Sequence, residues 1–395
     1  MTGASAKSLL LQAPRLVLLD REIQPGSILI ENGRIVEIST GDLAGGAGVE
    51  QKVDLSGTTI FPGFIDVNIH GAVGVDTMAA TAADLDRVSQ FLATRGITGW
   101  LPTLVPAPVT DYASAISSID EATRSTGRAR ILGVHYEGPF VNSAQCGALH
   151  AEFFRSFSGV SDLDDLPKLS DQRAKHMITL APEIVGGVEL VRELTRRNWI
   201  VSLGHTRADF EILDEAFSAG ARHMTHFMNA MTPLHHRAPG PIGWGLSRDE
   251  VTCDFIADGI HLDRQMLRLL MKLKGADLLS LISDAVAAAG MGDGEFEIWG
   301  ETITVKDGRT SNARGAIAGA VITMLEAVRT MLSLGASPVE VAKMAATNPA
   351  RLLGINQDCG SIEEGKRADL VALDAEGNVV LTLIAGEIVF DSKEQ

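Results

Sequence analysis

Strand-like apolar runs and helix-like amphipathic runs alternate through most of this chain, and that alternation limits its possible folds more than any single motif. ATAADLDRVSQFLATRG has helical spacing and leads into the strand-like ITGWLPTLV; TDYASAISSIDEATRS leads into RILGVHYEGP; RELTRRN leads into WIVSLGH. Repeated βα units build a parallel sheet, since each helix must return the chain to the end where the next strand starts. Sustained over residues 61–355, the pattern suits an eight-stranded barrel better than a compact doubly wound sheet.

Both chain ends depart from the pattern. ILIENGRIVEI is two apolar runs around Glu31-Asn32-Gly33, a hairpin signal, and Ala368 to Asp391 gives three short β-rich runs separated by glycine-containing turns. The expected organisation is an α/β chain: a (β/α)8 TIM-like barrel over 61–355, with a small β-sandwich domain formed from both termini, 1–60 and 356–395. The least regular stretch, Phe153 to Lys175, is expected to cross the barrel mouth, where binding loops concentrate.

Composition narrows the partners. A 45% hydrophobic and 21% charged chain is globular rather than disordered, and a net charge of −16 argues against a nucleic-acid or anionic-membrane surface. An anionic substrate would therefore need local cations. SLLLQAPRLVLLD is interrupted by Arg15 and reads as a strand rather than a leader, and no apolar run approaches the roughly 18 residues of a membrane span. Three cysteines, Cys146, Cys253 and Cys359, neither pair evenly nor sit at zinc-finger spacing, so a reducing cytoplasm is expected.

Several apolar runs end in chemistry: ILGVHYE at Glu137, WIVSLGH at His205, ARHMTH at His226 and LLSLISD at Asp284. In a β/α barrel the C-terminal strand ends converge on one mouth, so these four should share a pocket. One carboxylate and two imidazoles suffice to hold a catalytic Zn²⁺ with a position left for water, and Asp284 would be free to move protons. That pairing describes hydrolysis of an amide or related bond. The plain alternative for any one of these histidines is a hydrogen-bonded structural residue. His223, an odd number of residues from His226, is expected to be packed on the other face, and His135 is either packed or beside the site. Beyond His226 the chain offers Asn229, His235, His236 and Arg237; Arg237 suits a phosphate or carboxylate, or is simply exposed. His261 either joins that anion site or is a loop histidine. Earlier, PGFIDVNIHG places Asn68 and His70 two apart at a strand end, where they would share one face.

Taken in order, PGFIDVNIHG, HYEGPF, TLAPE, LGHT, THFMNAM, HRAPG, IADGIHLD, ISDA, NPARLLGI and GSIEEGKRADLVALD resemble the N-acetylglucosamine-6-phosphate deacetylases of the amidohydrolase superfamily over nearly the whole chain. The resemblance implies a homodimer, metal binding by Glu137, His205 and His226, and Asp284 as the base that later protonates the amine. It also implies that Asn229, the backbone at Ala230, Arg237 and His261 handle the sugar phosphate, one of them reaching across the dimer interface. Three departures stand out. Asn68 replaces the first histidine of the superfamily's His-x-His pair, so one divalent ion per subunit is expected, Zn²⁺ before Fe²⁺, Co²⁺ or Mn²⁺. His70 is then either a weak second-site ligand or a hydrogen-bonding group near the water. In CGALHAEF, Leu149 stands where the family often has a carbonyl-polarising histidine, and His150 follows one residue later, where a loop shift would restore the contact. Ala320 also replaces a small hydroxyl residue. The implied reaction converts N-acetyl-D-glucosamine 6-phosphate to glucosamine 6-phosphate and acetate. The alternatives are another N-acetylhexosamine phosphate, an unphosphorylated amide, or a silent barrel.

Overall fold

The computed structural model describes residues 8–41 and 49–394; positions 1–7, 42–48 and 395 of the expected small domain lie outside the described residues. Eight strands form the centre: β1 Phe64–Ile69, β2 Ile97–Leu104, β3 Gly133–Glu137, β4 Lys175–Leu180, β5 Ile200–Leu203, β6 His223–Met224, β7 Thr252–Ile256 and β8 Leu279–Ile282. Neighbours in chain order pair in parallel throughout. The ring closes just beyond β8, where Ile69 and Ala285 form a parallel bridge and the Asp284 N–H donates to the Asn68 carbonyl at 3.0 Å. Strands covered on both faces must be apolar along most of their length, so they read as continuous runs in the sequence.

Helices α1 Ala82–Thr94, α2 Val109–Ala122, α3 Gly187–Arg196, α4 Phe210–Ala219, α5 Gly240–Ser247, α6 Arg264–Lys274 and α7 Met324–Ser333 follow the strands around the outside. Their ends are chemically marked. Thr81 caps α1 in a reciprocal box with Asp84, and the Asp209 and Asp263 carboxylates accept from free N–H groups at the starts of α4 and α6. Leu85, Val88 and Leu92 of α1 then fall at helical spacing onto the barrel core.

One connection differs from expectation. No α-helix links β3 to β4; residues 153–175 instead leave the mouth at Pro139, whose carbonyl accepts from the Arg155 N–H, and descend the barrel flank. Phe157, Leu163, Leu166 and Leu169 are buried there in the main core, and the Tyr136 hydroxyl donates to the Pro167 carbonyl. Those four apolar side chains cover strand surface that a helix would otherwise cover, which is why the segment is drawn off the mouth.

The two chain ends share a core. Thr59–Pro62 pairs in parallel with Arg15–Val17 and antiparallel with Leu370–Leu373, so one six-stranded sheet joins strands from both end regions of the chain. A four-stranded sheet packs beside it through Leu11, Leu16, Ile28, Ile60, Leu370 and Leu381. The Asn32-Gly33 turn expected from sequence joins Gly26–Glu31 to Arg34–Thr40, with both turn residues at positive φ. Among the described residues, no helix is long and apolar enough to cross a membrane.

An antiparallel insertion follows β8: β9 Gly294–Ile298, β10 Glu301–Lys306 and β11 Arg309–Ser311. It packs through Ile298, Ile303 and Val305 against Val286, Ala287 and Ala288, at the mouth end of β8.

Candidate active site

Three of the four strand-end residues depend on an unusual backbone. His205, His226 and Asp284 have φ values of 48°, 34° and 53°, the left-handed region that ordinary side chains avoid. Each lies two residues beyond the end of its strand, where the chain has left the pleat. Glu137 closes β3 directly. The result is a cluster at the barrel mouth: Glu137 Oε1 lies 2.7 Å from His205 Nε2 and 3.1 Å from His226 Nε2, and the two Nε2 atoms are 3.2 Å apart. On the other side, His70 Nε2 lies 3.0 Å from Glu137 Oε2 and 3.3 Å from Asp284 Oδ1. All five side chains are buried.

The ring orientations are set from behind. His205 Nδ1 donates to the Gln145 carbonyl at 2.7 Å, which turns Nε2 toward Glu137. His226 is fixed through its backbone, whose N–H donates to the buried Asp254 carboxylate. Asp254 also accepts from His223 Nε2 at 2.9 Å, and His223 Nδ1 contacts the Thr252 hydroxyl at 2.7 Å. His223 is thus packed, as expected, and it steadies a ligand-type residue. His135 is packed as well, 2.8 Å from the Thr179 hydroxyl, and burial lowers it to about 4, so it is neutral.

The electrostatics call for positive charge at the cluster. Burial disfavours charge on His70 and His226, but hydrogen bonds to Asp284 and Glu137 outweigh it and raise His70 to about 10; the Glu137 bond raises His226 to about 9. Burial alone would raise Glu137, yet bonds from His205, His226 and His70 hold it well below the usual carboxylate range. A carboxylate oxygen and two imidazole nitrogens aimed at one buried point need positive charge among them, which protons or a metal cation can supply. Glu137, His205 and His226 therefore suit a divalent metal ion, and His70, Glu137 and Asp284 form a second group of the same kind.

The cluster opens into a cavity of about 170 Å³, lined by His70, Glu137, His205, His226 and Asp284 together with Asn229, Ala230 and His261. His261 Nδ1 is tied to Asp258 at 2.7 Å. A wider cleft of about 520 Å³, lined by Arg15, Thr59, Arg329 and Glu376, contains no histidine.

Other expected residues lie elsewhere. The Asn68 side chain is buried without a hydrogen-bond partner and does not line the cavity; its carbonyl, rather than its amide, serves the site through Asp284. Leu149 occupies the wall, while His150 turns away to Glu152 at 3.2 Å and Glu301 at 3.8 Å, so the loop shift that would bring His150 inward is not present. Arg237 is exposed, 2.9 Å from His236 and outside the cavity of its own chain. Trp299, Ile317 and Gly319 also line the cavity; sequence reading passed over them because their segment carries no βα pattern.

A closed parallel barrel with a carboxylate, imidazoles and an aspartate at its strand ends is the architecture of a metal-dependent barrel hydrolase. Residues 59–389 match the Amidohydrolase family model. The chain is 36% identical to the N-acetylglucosamine-6-phosphate deacetylase of Bacillus subtilis, covering 98% of this chain and 99% of that one. It is 37% identical to the N-acetylgalactosamine-6-phosphate deacetylase of Escherichia coli O157:H7, over 83% and 86%. The solved N-acetyl-D-glucosamine-6-phosphate deacetylase mutant of Mycobacterium smegmatis, in complex with N-acetyl-D-glucosamine 6-phosphate, superposes with a TM-score of 0.88 at 30% identity, over 97% and 99%. The chain belongs to the amidohydrolase family and, within it, to the N-acetylglucosamine-6-phosphate deacetylases.

Proposed function

We propose that this chain hydrolyses N-acetyl-D-glucosamine 6-phosphate to glucosamine 6-phosphate and acetate, consuming one water. The observation that carries the reading is the placement of Asp284 beside the Glu137–His205–His226 cluster, 3.3 Å from His70, in one buried cavity. Glu137, His205 and His226 would hold one divalent ion, Zn²⁺ before Fe²⁺, Co²⁺ or Mn²⁺. Bound there, such an ion supplies Lewis acidity, making water acidic enough to ionise near neutral pH and drawing electrons from the acyl oxygen. Asp284 accepts the proton that the attacking water loses and delivers it to the amine nitrogen as the C–N bond breaks. His70, between Glu137 and Asp284, orients both carboxylates. Asn229, the Ala230 backbone and His261 bind the sugar phosphate from the β6 and β7 ends. Arg237 completes the phosphate site by reaching into a partner's cavity in a homodimer. The setting we infer is cytoplasmic.

The test is acetate release by enzyme of known metal content from N-acetylglucosamine 6-phosphate, its unphosphorylated sugar and the galactosamine isomer. Asp284→Asn should lower kcat by about 10²–10⁴-fold while leaving the metal bound. Substantial turnover by that variant would refute the assigned proton path.

A further inference from the structure

The β9–β10 turn is chemically odd. Ile298 pairs with Glu301, leaving Trp299-Gly300 as a two-residue loop with φ values of 54° and 75°. Both central positions of such a turn need positive φ, which favours Asn, Asp or Gly. The next turn of the same sheet obeys that preference with Asp307-Gly308, φ 52° and 74°, between Lys306 and Arg309. An indole held in this conformation is strained, and strain of this kind persists where the side chain is wanted in one place.

That place is the cavity. The Trp299 ring meets the His70 ring edge-on at 5.1 Å between centroids and packs with Leu149, Val105 and Val141. The Asp76 carboxylate lies near the turn, while the indole Nε1 is buried without a hydrogen-bond partner, so the ring is held by packing. The cavity is therefore two-sided. Its polar lining, Asn229, Ala230 and His261, follows β6 and β7, whereas Ala148, Leu149, Trp299 and Ile317 come from the β3 loop and the region after β8 and form an apolar wall.

We propose that Trp299, with Leu149, sets acyl-chain specificity by closing an apolar compartment that admits an acetyl methyl and excludes longer chains. The inference rests on the hydrolase reading above. If the phosphate sits at the polar side and the amide carbon at the cluster, the acyl tail points to the apolar side. His70 ties the compartment to the reacting centre, because the same ring touches Trp299 on one side and the Glu137 and Asp284 carboxylates on the other. Trp299 is thus a specificity residue and takes no part in proton transfer.

The experiment compares kcat and KM for N-acetyl- and N-butyrylglucosamine 6-phosphate in the wild-type, Trp299→Ala, Trp299→Phe and Leu149→Ala proteins. The wild type should prefer the acetyl substrate. Trp299→Ala should raise the butyryl-to-acetyl ratio of kcat/KM by about 10-fold or more, the scale set by methylene-sized differences in an apolar pocket. The butyryl kcat/KM itself should rise, chiefly through a lower KM, an outcome that a merely damaged protein cannot give. Trp299→Phe should fall between the two. Leu149→Ala opens the facing wall and should move the ratio the same way, so it carries the test if Trp299→Ala does not fold. An unchanged ratio in the folded variants, or a wild type indifferent to chain length, overturns the proposal while leaving the deacetylase reading intact. A metal-loaded wild type that releases neither acid overturns both.

Discussion

Asp254 has no place in the chemistry, yet the site hangs on it. Its carboxylate is fully buried and receives two hydrogen bonds, from the His226 backbone N–H and from His223 Nε2. Truncation in Asp254→Ala removes the acceptor from both donors. Bonds to a charged group are worth about 1.5–3 kcal/mol each, so the loss of two should be about 3–6 kcal/mol. The Asp254→Asn variant separates shape from charge. Its carbonyl oxygen can keep the His226 N–H, and its amide can donate to His223 Nε2 once the imidazole proton moves to Nδ1, where the Thr252 hydroxyl accepts it. Both partners, the His226 N–H as donor and His223 Nε2 now as acceptor, are then satisfied, and the loss should stay near 1 kcal/mol. Urea unfolding of the three proteins gives these differences. Metal retained after dialysis against graded chelator reports the consequence, about 10–100-fold weaker binding in Asp254→Ala because His226 loses its support. A loss under about 1 kcal/mol in Asp254→Ala, or an Asn variant as damaged as the alanine, would refute the reasoning.

Two further predictions concern the frame. Lys274 is buried and donates to the carbonyls of Gly245, Arg248 and Val251 at 2.9, 2.6 and 2.8 Å, tying α6 to the end of α5; Lys274→Met should cost about 4 kcal/mol or more in urea unfolding, with the spectrum of the folded state unchanged. His176 Nε2 accepts from the Leu169 N–H at 3.0 Å, and burial, with Lys168 nearby, lowers it to about 4. The unfolded chain therefore takes the proton first: the contribution of neutral His176 is whole above about pH 6.5 and is lost as pH falls toward 4. The protection factor of the Leu169 amide, taken relative to the slower intrinsic exchange in acid, should fall across that window, and His176→Gln should remove this dependence.

The residues that could be read from sequence are those at which burial and chemistry meet in one dimension. β3, β5 and β8 are apolar because both faces are covered, so a Glu, His or Asp at the end of each run stands out, and barrel topology then brings Glu137, His205 and Asp284 together. Residues whose position depends on the third dimension could not be read this way. Phe157, Leu163, Leu166 and Leu169 have no helical signature, yet they replace the β3–β4 helix, because a flank can be covered by any chain able to bury four side chains. The treatment of His223 shows the difference most clearly. Strand alternation assigns it and His226 to opposite faces; His223 is packed as that reading expects, but β6 spans only His223 and Met224. His226 lies past the strand, at φ 34°, where alternation no longer applies. What separates the two rings is that His223 remains in the sheet and binds Asp254 through its side chain, whereas His226 has turned out of the sheet and meets the same carboxylate through its backbone. His205 and Asp284 have also turned to positive φ at their strand ends. Neither His nor Asp is a residue that demands this backbone, and each such turn costs about 1–2 kcal/mol, so the bend cannot be inferred from residue type. It persists because the surrounding hydrogen bonds, Asp254 for His226 and the Asn68 carbonyl for Asp284, hold the chain there. The geometry of the site is therefore written less in the residues that would perform the reaction than in the buried neighbours that keep their backbones bent.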